Sequence, residues 1–389
     1  MQCYFGARQS AILAMHDVPD TGLAATRLIR RDELVSCETA FVDCRIPGSQ
    51  PKGNYSIIGA GVTQSADQVI NLSEPHGFAI GVAEMPGGIT NNLHVHYTAE
   101  VFMIFRGEWL FRWGANGDDG EMIGRAGDVV SIPTWIFRGF TNVGADDDWI
   151  FTALGRDESG GVIWHPDILA RAAETGMYLT RDNMLVDTTT GAPPPSEDER
   201  MVPLTPEFIA GLRRYSVADL AARTTTAAER AWSAAALLDS VLPGHAAQIA
   251  PVIGFGMTQD RTASPKVVNP HGFSVDWLRI EVGNSVGAYR TDPKQVLILQ
   301  EGAVEVTLGD GSTARLEPWG LFSLPGGEWR TLRSVGDVSA LMTVVTSGDA
   351  RAILEWSPEI VAPALAHGVG IDPDDYLAPA YLLPFAVAA

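Results

Sequence analysis

The chain has 389 residues, 46% hydrophobic and 19% charged, with 27 basic against 47 acidic side chains and a net charge of −20. That length exceeds one ordinary core, and the composition excludes a disordered chain. So acidic a surface repels phosphate backbones and anionic membranes, so neither nucleic acid nor membrane is expected as a partner.

The first stretch, MQCYFGARQSAILAMHDVPD, lacks a basic segment followed by a long apolar run. No apolar run of about 18 residues follows either, and a cytoplasmic chain is expected. Cys3, Cys37 and Cys44 show no CxxC spacing. They predict reduced thiols rather than a disulfide framework or a zinc knuckle.

From Ile57 onward the chain is written twice. IIGAGVTQ (57–64) recurs as VIGFGMTQ (252–259), and PHGF (75–78) recurs at 270–273, both displaced by 195 residues. EVFMIFRGEWLFRWG (100–114) meets QVLILQEGAVEVTLG (295–309) at the same displacement. After a short deletion the displacement becomes 192, which brings Arg138 onto Arg330 and WHPDILARAAETG (164–176) onto WSPEIVAPALAHG (356–368). A duplication is the reading, with one domain over 1–186, a linker over 187–206 and a second domain over 207–389.

Each copy reads mostly as strand. The apolar runs break at Gly107 and Gly302, where tight turns are predicted. Gly- and Pro-punctuated strands continue through GDVVSIPTW and GLFSLPGG, which points to a sandwich or barrel. A helix closes each copy, starting at Pro166 or Pro358 and ending before Gly176 or Gly368. The linker is proline-rich and acidic. The alanine-rich AARTTTAAERAWSAAALLDS (221–240) predicts helix for part of its length.

The chemistry concentrates in NNLHVHYTAEVFMIFRG (91–107). Residues two apart on a strand share a face, so His94 and His96 converge, and Glu100 has the same parity. Two imidazoles and a carboxylate form the facial set that binds iron(II) and related divalent ions with open positions for substrate. The second copy has Tyr289, Thr291 and Gln295 at these positions, so no metal chemistry is expected there. His76 and His271 recur in both copies and read as turn or core residues; His165 reads as a helix cap. Trp109, Phe111, Trp113, Trp135 and Phe137 are either core or the wall of a ring-binding pocket. Arg106, Arg112 and Tyr97 are either surface residues or contacts for an anionic substrate.

Gly88, HVHYTAE, Gly107 and then GDVVSIPTWIFRGFTN resemble the two motifs of the cupin family, and the duplication makes the chain similar to a bicupin. The resemblance implies an all-β fold with flanking helices: two double-stranded β-helix barrels, with a metal held by two His, one Glu and a third His. His94, His96 and Glu100 match; the third histidine is replaced by Arg138. The Pro133-Thr134-Trp135 turn is similar to that of gentisate-type ring-cleaving dioxygenases. The resemblance also implies a homodimer or higher homo-oligomer, since exposed edges need cover.

Arg138 is the open point. A guanidinium about 5 Å from a divalent ion opposes it by roughly 6 kcal/mol. Either Arg138 turns outward and three ligands hold the ion, or it enters and pairs with Glu100 in the metal's place. Because Arg330 stands opposite Gln295, which forms no salt bridge, the outward orientation is favoured. The functional expectation is a metal-dependent enzyme for a small organic substrate, aromatic or anionic. Iron(II) dioxygenase chemistry leads, with manganese, nickel or zinc as other fits. Glu100 and Arg138 would serve catalysis, Arg138 orienting a substrate carboxylate or enolate. The alternatives are a redox-neutral lyase or isomerase and a metal-free binding module.

Overall fold

The computed structural model describes residues 20–383; Cys3, His16 and most of the opening stretch lie outside them. In the first copy, one sheet runs in the order Thr224–Thr225, Val129–Ile132, Glu100–Ile104, Asp148–Gly155, Phe78–Met85, Gly53–Ile58 and Ile70–Leu72. Its companion runs Ile163–Trp164, Thr90–Val95, Arg138–Asn142, Glu108–Trp113 and Gly120–Arg125. The second copy repeats both orders, starting from Leu28–Ile29 on its larger sheet and Glu355–Trp356 on its smaller one, except that its larger sheet has six strands and no counterpart of Ile70–Leu72. The two copies are therefore the same two-sheet barrel, closed by the helices Pro166–Glu174 and Pro358–Ala366. No helix among the described residues is long and apolar enough to cross a membrane.

The outermost strand of each larger sheet comes from the segment preceding the other copy. Leu28 pairs with Phe322 of the second barrel, and Thr224 pairs with Val130 of the first. Edge pairing that would otherwise call for a second molecule is thus made within the chain.

The larger sheets also face each other. Along Glu100–Ile104, Val101 and Met103 turn into a core shared by both barrels, while Phe102 and Ile104 turn into the first barrel. Both faces are covered, which is why this strand reads as an unbroken apolar run. Phe78 meets Phe273 with ring centroids 5.9 Å apart, and Phe105 stacks on Trp277 at 6.2 Å. Each such side chain contributes about 1.5–3 kcal/mol by burial.

The recurring PHGF segments sit on this junction. His76 donates from Nδ1 to the Glu74 carbonyl and accepts at Nε2 from the Ser323 hydroxyl, 2.8 Å away in the other barrel. His271 does the same with Asn269 and with Ser131, again at 2.8 Å. Burial lowers both imidazoles from their ordinary range, so they stay neutral. The repeated Gln64 and Gln259 each accept from a tryptophan indole, Trp164 or Trp356, and from the backbone of Val42 or Leu238.

Gly107 turns with φ of 88°, and a Cβ there would lie 1.9 Å from a carboxylate oxygen of Asp148, so only glycine fits. The alanine-rich stretch departs from expectation. Helix ends at Ala221; Thr224–Thr225 is strand, and Ala227–Glu229 is a short 3-10 turn capped by Thr226 and Glu229. Pairing with the open edge at Val129 outweighs alanine's helix propensity, which is a weak preference.

One buried acid has no counter-charge. Asp276, fully buried inside the second barrel, accepts from the Met257 N–H at 2.8 Å, and its other oxygen has no partner. Burial pushes this carboxyl up to about 7. The folded state therefore keeps a proton that the unfolded chain releases near pH 4. Its contribution is full below that pH and is lost as pH rises toward 7. Asp276→Asn should gain about 2–3 kcal/mol on wild type between pH 5 and pH 8. Denaturant midpoints at the two pH values check this; a constant difference would refute it.

Candidate metal centre

The site is assembled across both sheets of the first barrel. His94 and His96 lie on Thr90–Val95 and just after it, while Glu100 opens the strand of the larger sheet. His94 is paired in register with Arg138 on one side and with Trp164 on the other. His94, His96 and Glu100 are buried, and one ligand atom from each lies within 4.8 Å of the others. His96 Nε2 is 3.6 Å from Glu100 Oε2.

Both imidazoles are neutral donors. Burial, then the Arg138 charge, pushes each well below the usual histidine range. His94 Nδ1 donates to the Asn92 carbonyl at 2.7 Å, which leaves the Nε2 lone pair for the site. A backbone carbonyl holding the outer nitrogen is the usual support of a metal-bound histidine. His96 Nδ1 is buried with no partner.

Arg138 does not turn outward. It is fully buried, and its Nε and Nη2 donate to Glu100 Oε2 at 3.1 and 3.0 Å, while Nη1 reaches the carbonyls of His94 and Ile136. Burial raises the Glu100 carboxyl and lowers the Arg138 guanidinium, and each charge pulls the other back. The outward orientation expected from the second copy does not hold, because Gln295 holds its arginine without a charge. Arg330 Nη1 donates to the amide oxygen of Gln295 at 3.2 Å, and Tyr289 donates to the same atom. An amide oxygen accepts as a carboxylate does, so the arginine keeps one place in both barrels.

These residues meet a cavity of about 50 Å³. Lys52 and Asn91 line it too, and neither had been singled out. The Lys52 ammonium donates to Asp43 and, at 2.8 Å, to Asn91 Oδ1; both partners are buried. Asp43 also accepts from the backbone and side chain of Asn92, next to the strand positions of His94 and His96. A signal was present: AFVDCRIPG (40–48) recurs as ALLDSVLPG (236–244), displaced by 196 and so out of step with the repeat that follows. It pairs Asp43 with Asp239. The second copy lacks the lysine as it lacks the ligands, and Asp239 contacts His245 instead.

The remaining candidates fall elsewhere. Trp109, Phe111 and Trp113 are core, and the His165 ring caps its helix by accepting from the Asp167 N–H at 3.2 Å. Arg106 pairs with Asp146 and Asp148 at the surface. Cys37 and Cys44 are buried free thiols, and burial pushes Cys44 up to about 11.

The donor set fits one divalent ion. Ligands about 2.0–2.2 Å from a metal lie roughly 3 Å apart, an inward shift of an ångström or so from the present spacing. Both bonds from Arg138 fall on Oε2 of Glu100, and Oε1 accepts none. Oε2 is also the oxygen 3.6 Å from His96 Nε2, so the guanidinium and an ion would share that side of the carboxylate.

No protein-family model and no curated protein sequence matches the chain. Solved structures do. Oxalate decarboxylase of Lactobacillus farciminis, in its formate complex, has a TM-score of 0.53 at 12% identity, over 88% of this chain and 92% of that one. Bacillus subtilis oxalate decarboxylase has a TM-score of 0.53 at 13% identity, over 89% and 84%. Procruciferin, an 11S globulin of Brassica napus, has 0.50 at 12%, over 83% and 86%. At such identities the likeness concerns the fold, which is that of a bicupin, two cupin barrels in one chain.

Proposed function

We propose that the first barrel is the active site of a metal-dependent enzyme for a small organic anion. His94, His96 and Glu100 would hold one divalent transition ion, of which iron(II), manganese, nickel and zinc all suit the donors. Such an ion supplies Lewis-acid polarisation of a bound oxygen. The observation that carries this reading is the company of three buried donors and the Lys52 ammonium around one small cavity.

The volume selects the substrate. A cavity of about 50 Å³ suits a small carboxylate better than an aromatic ring. We therefore set aside ring cleavage and infer redox-neutral cleavage of a small carboxylate, of the size of the oxalate and formate named for the structural neighbours. Lys52, fixed by Asp43 and Asn91, would orient the substrate carboxylate and would give a proton to the carbon left behind, which keeps the electron pair of the broken C–C bond as carbon dioxide departs. Arg138 would act through Glu100 as a positioning residue, and Phe41, Phe140 and Trp164 keep bulk water out.

Metal analysis followed by incubation with short mono- and dicarboxylates tests this. Carbon dioxide release without oxygen uptake is expected; stoichiometric oxygen uptake would return the dioxygenase reading. The Arg138–Glu100 pair favours a second reading, a metal-free binding barrel, which stands if no ion is retained. Self-association as a homodimer is proposed as well, on the family resemblance alone, since Leu28–Ile29 and Thr224–Thr225 already cover one edge of each larger sheet. A monomer mass alone in sedimentation at micromolar concentration would refute it.

A further inference from the structure

A groove of about 830 Å³ runs along the junction of the two barrels. Arg213 lines both it and an adjoining recess of about 550 Å³. Arg156 and Arg223 line the groove as well. In a chain with a net charge of −20, three guanidinium groups line this groove, and none of them is in an ion pair among the described residues. Arg156 is exposed and makes no side-chain hydrogen bond, with only its backbone N–H bonded, to the Gly77 carbonyl. Arg213 lies over the Tyr215 ring at 4.6 Å. Arg223 is held by Ser131 and Asn269, both neutral.

The acids lining the same groove are already engaged by backbone. Asp219 forms a capping box with Ser216, and Asp349 accepts from the N–H groups of His271 and Gly272. They keep their charge, so the lining carries three guanidinium groups against two carboxylates, a net charge of +1 in an acidic chain.

The two copies also differ here in backbone. Among the described residues, five non-glycine residues hold a positive φ. Asn183 and Asp375 are equivalent turn positions, and Trp319 is wedged against Trp149 under Arg31. The other two, Trp135 and Arg156, stand where the second copy has Gly327 and Gly348, both also at positive φ. The exchange also runs the other way, since Trp319 of the second copy stands where the first has Gly127. Trp135 and Arg156 border this groove and its recess, and the exposed Tyr97 stands beside Trp135 at 5.4 Å.

We infer that the groove is a binding site for a small polyanion carrying two or three negative charges, as clustered carboxylates or as phosphate. Arg156, Arg213 and Arg223 would neutralise the charge, with Tyr97 against the rest of the ligand. Groove volumes of this order suit a metabolite. The site is separate from the metal cavity and does not depend on its occupancy.

Calorimetric titration of the full chain with citrate and with pyrophosphate, each to about 10 mM, tests it. Binding that weakens with salt is expected, and Arg156→Ala/Arg213→Ala should weaken it at least tenfold with the melting temperature unchanged. Arg171→Ala, an exposed arginine on the closing helix, should leave it intact. Heat from citrate alone identifies carboxylates as the class, and heat from pyrophosphate alone identifies phosphate. No heat from either, or equal losses in the Arg171 control, would overturn the proposal.

Discussion

Arg138→Ala will lose about 3–5 kcal/mol of stability in metal-stripped buffer, because it removes the only counter-charge of a buried carboxylate. Glu100 is 4% exposed, and both of its hydrogen bonds come from Arg138. Burial already raises its carboxyl; with the guanidinium gone it rises further. The sign of the pH dependence follows. A folded-state value above the unfolded one contributes stability below the unfolded value and loses it as pH rises through the folded value. The deficit of the variant should therefore be smaller at pH 5 than at pH 8. A divalent ion should restore part of it, since the ion supplies the missing charge. Melting curves of both proteins, with chelator or with added manganese or zinc, check all three points. If the variant melts within a degree or two of wild type under chelation, the ion pair does not stabilise this barrel as argued.

Wild-type protein should carry about one transition ion per chain, and His94→Ala/His96→Ala should carry almost none. The double variant removes both neutral nitrogen donors and leaves a lone carboxylate already bonded to Arg138. Even one missing supporting group costs ten- to hundredfold in affinity, so losing two ligands abolishes retention. A stoichiometry near one rather than two is expected because Tyr289, Thr291 and Gln295 hold the equivalent places, and Arg330 and Tyr289 both bond to Gln295. Elemental analysis after expression with iron, manganese, nickel or zinc decides the matter. A wild-type protein that remains metal-free would sink the enzymatic reading and leave the binding barrel.

The amino-acid sequence alone determined that the chain is a duplicated, mostly stranded one, and the motif resemblance implied cupin barrels with the candidate metal donors in the first copy. Duplication and strand alternation are local patterns, and His94, His96 and Glu100 fall on one face by parity. Three things were decided only by tertiary structure. Arg138 points inward because the barrel brings a strand of one sheet against Glu100 on the other, a distance no spacing along the chain encodes. Lys52 reaches the cavity from 42 residues before His94, held by Asp43 on a separate short turn. The third is the course of Thr224–Thr225, which became strand rather than helix because an unpaired edge in the other copy's barrel offered backbone partners. Backbone groups must be paired wherever they are buried, and that requirement acts between segments distant in sequence, where propensity has no say.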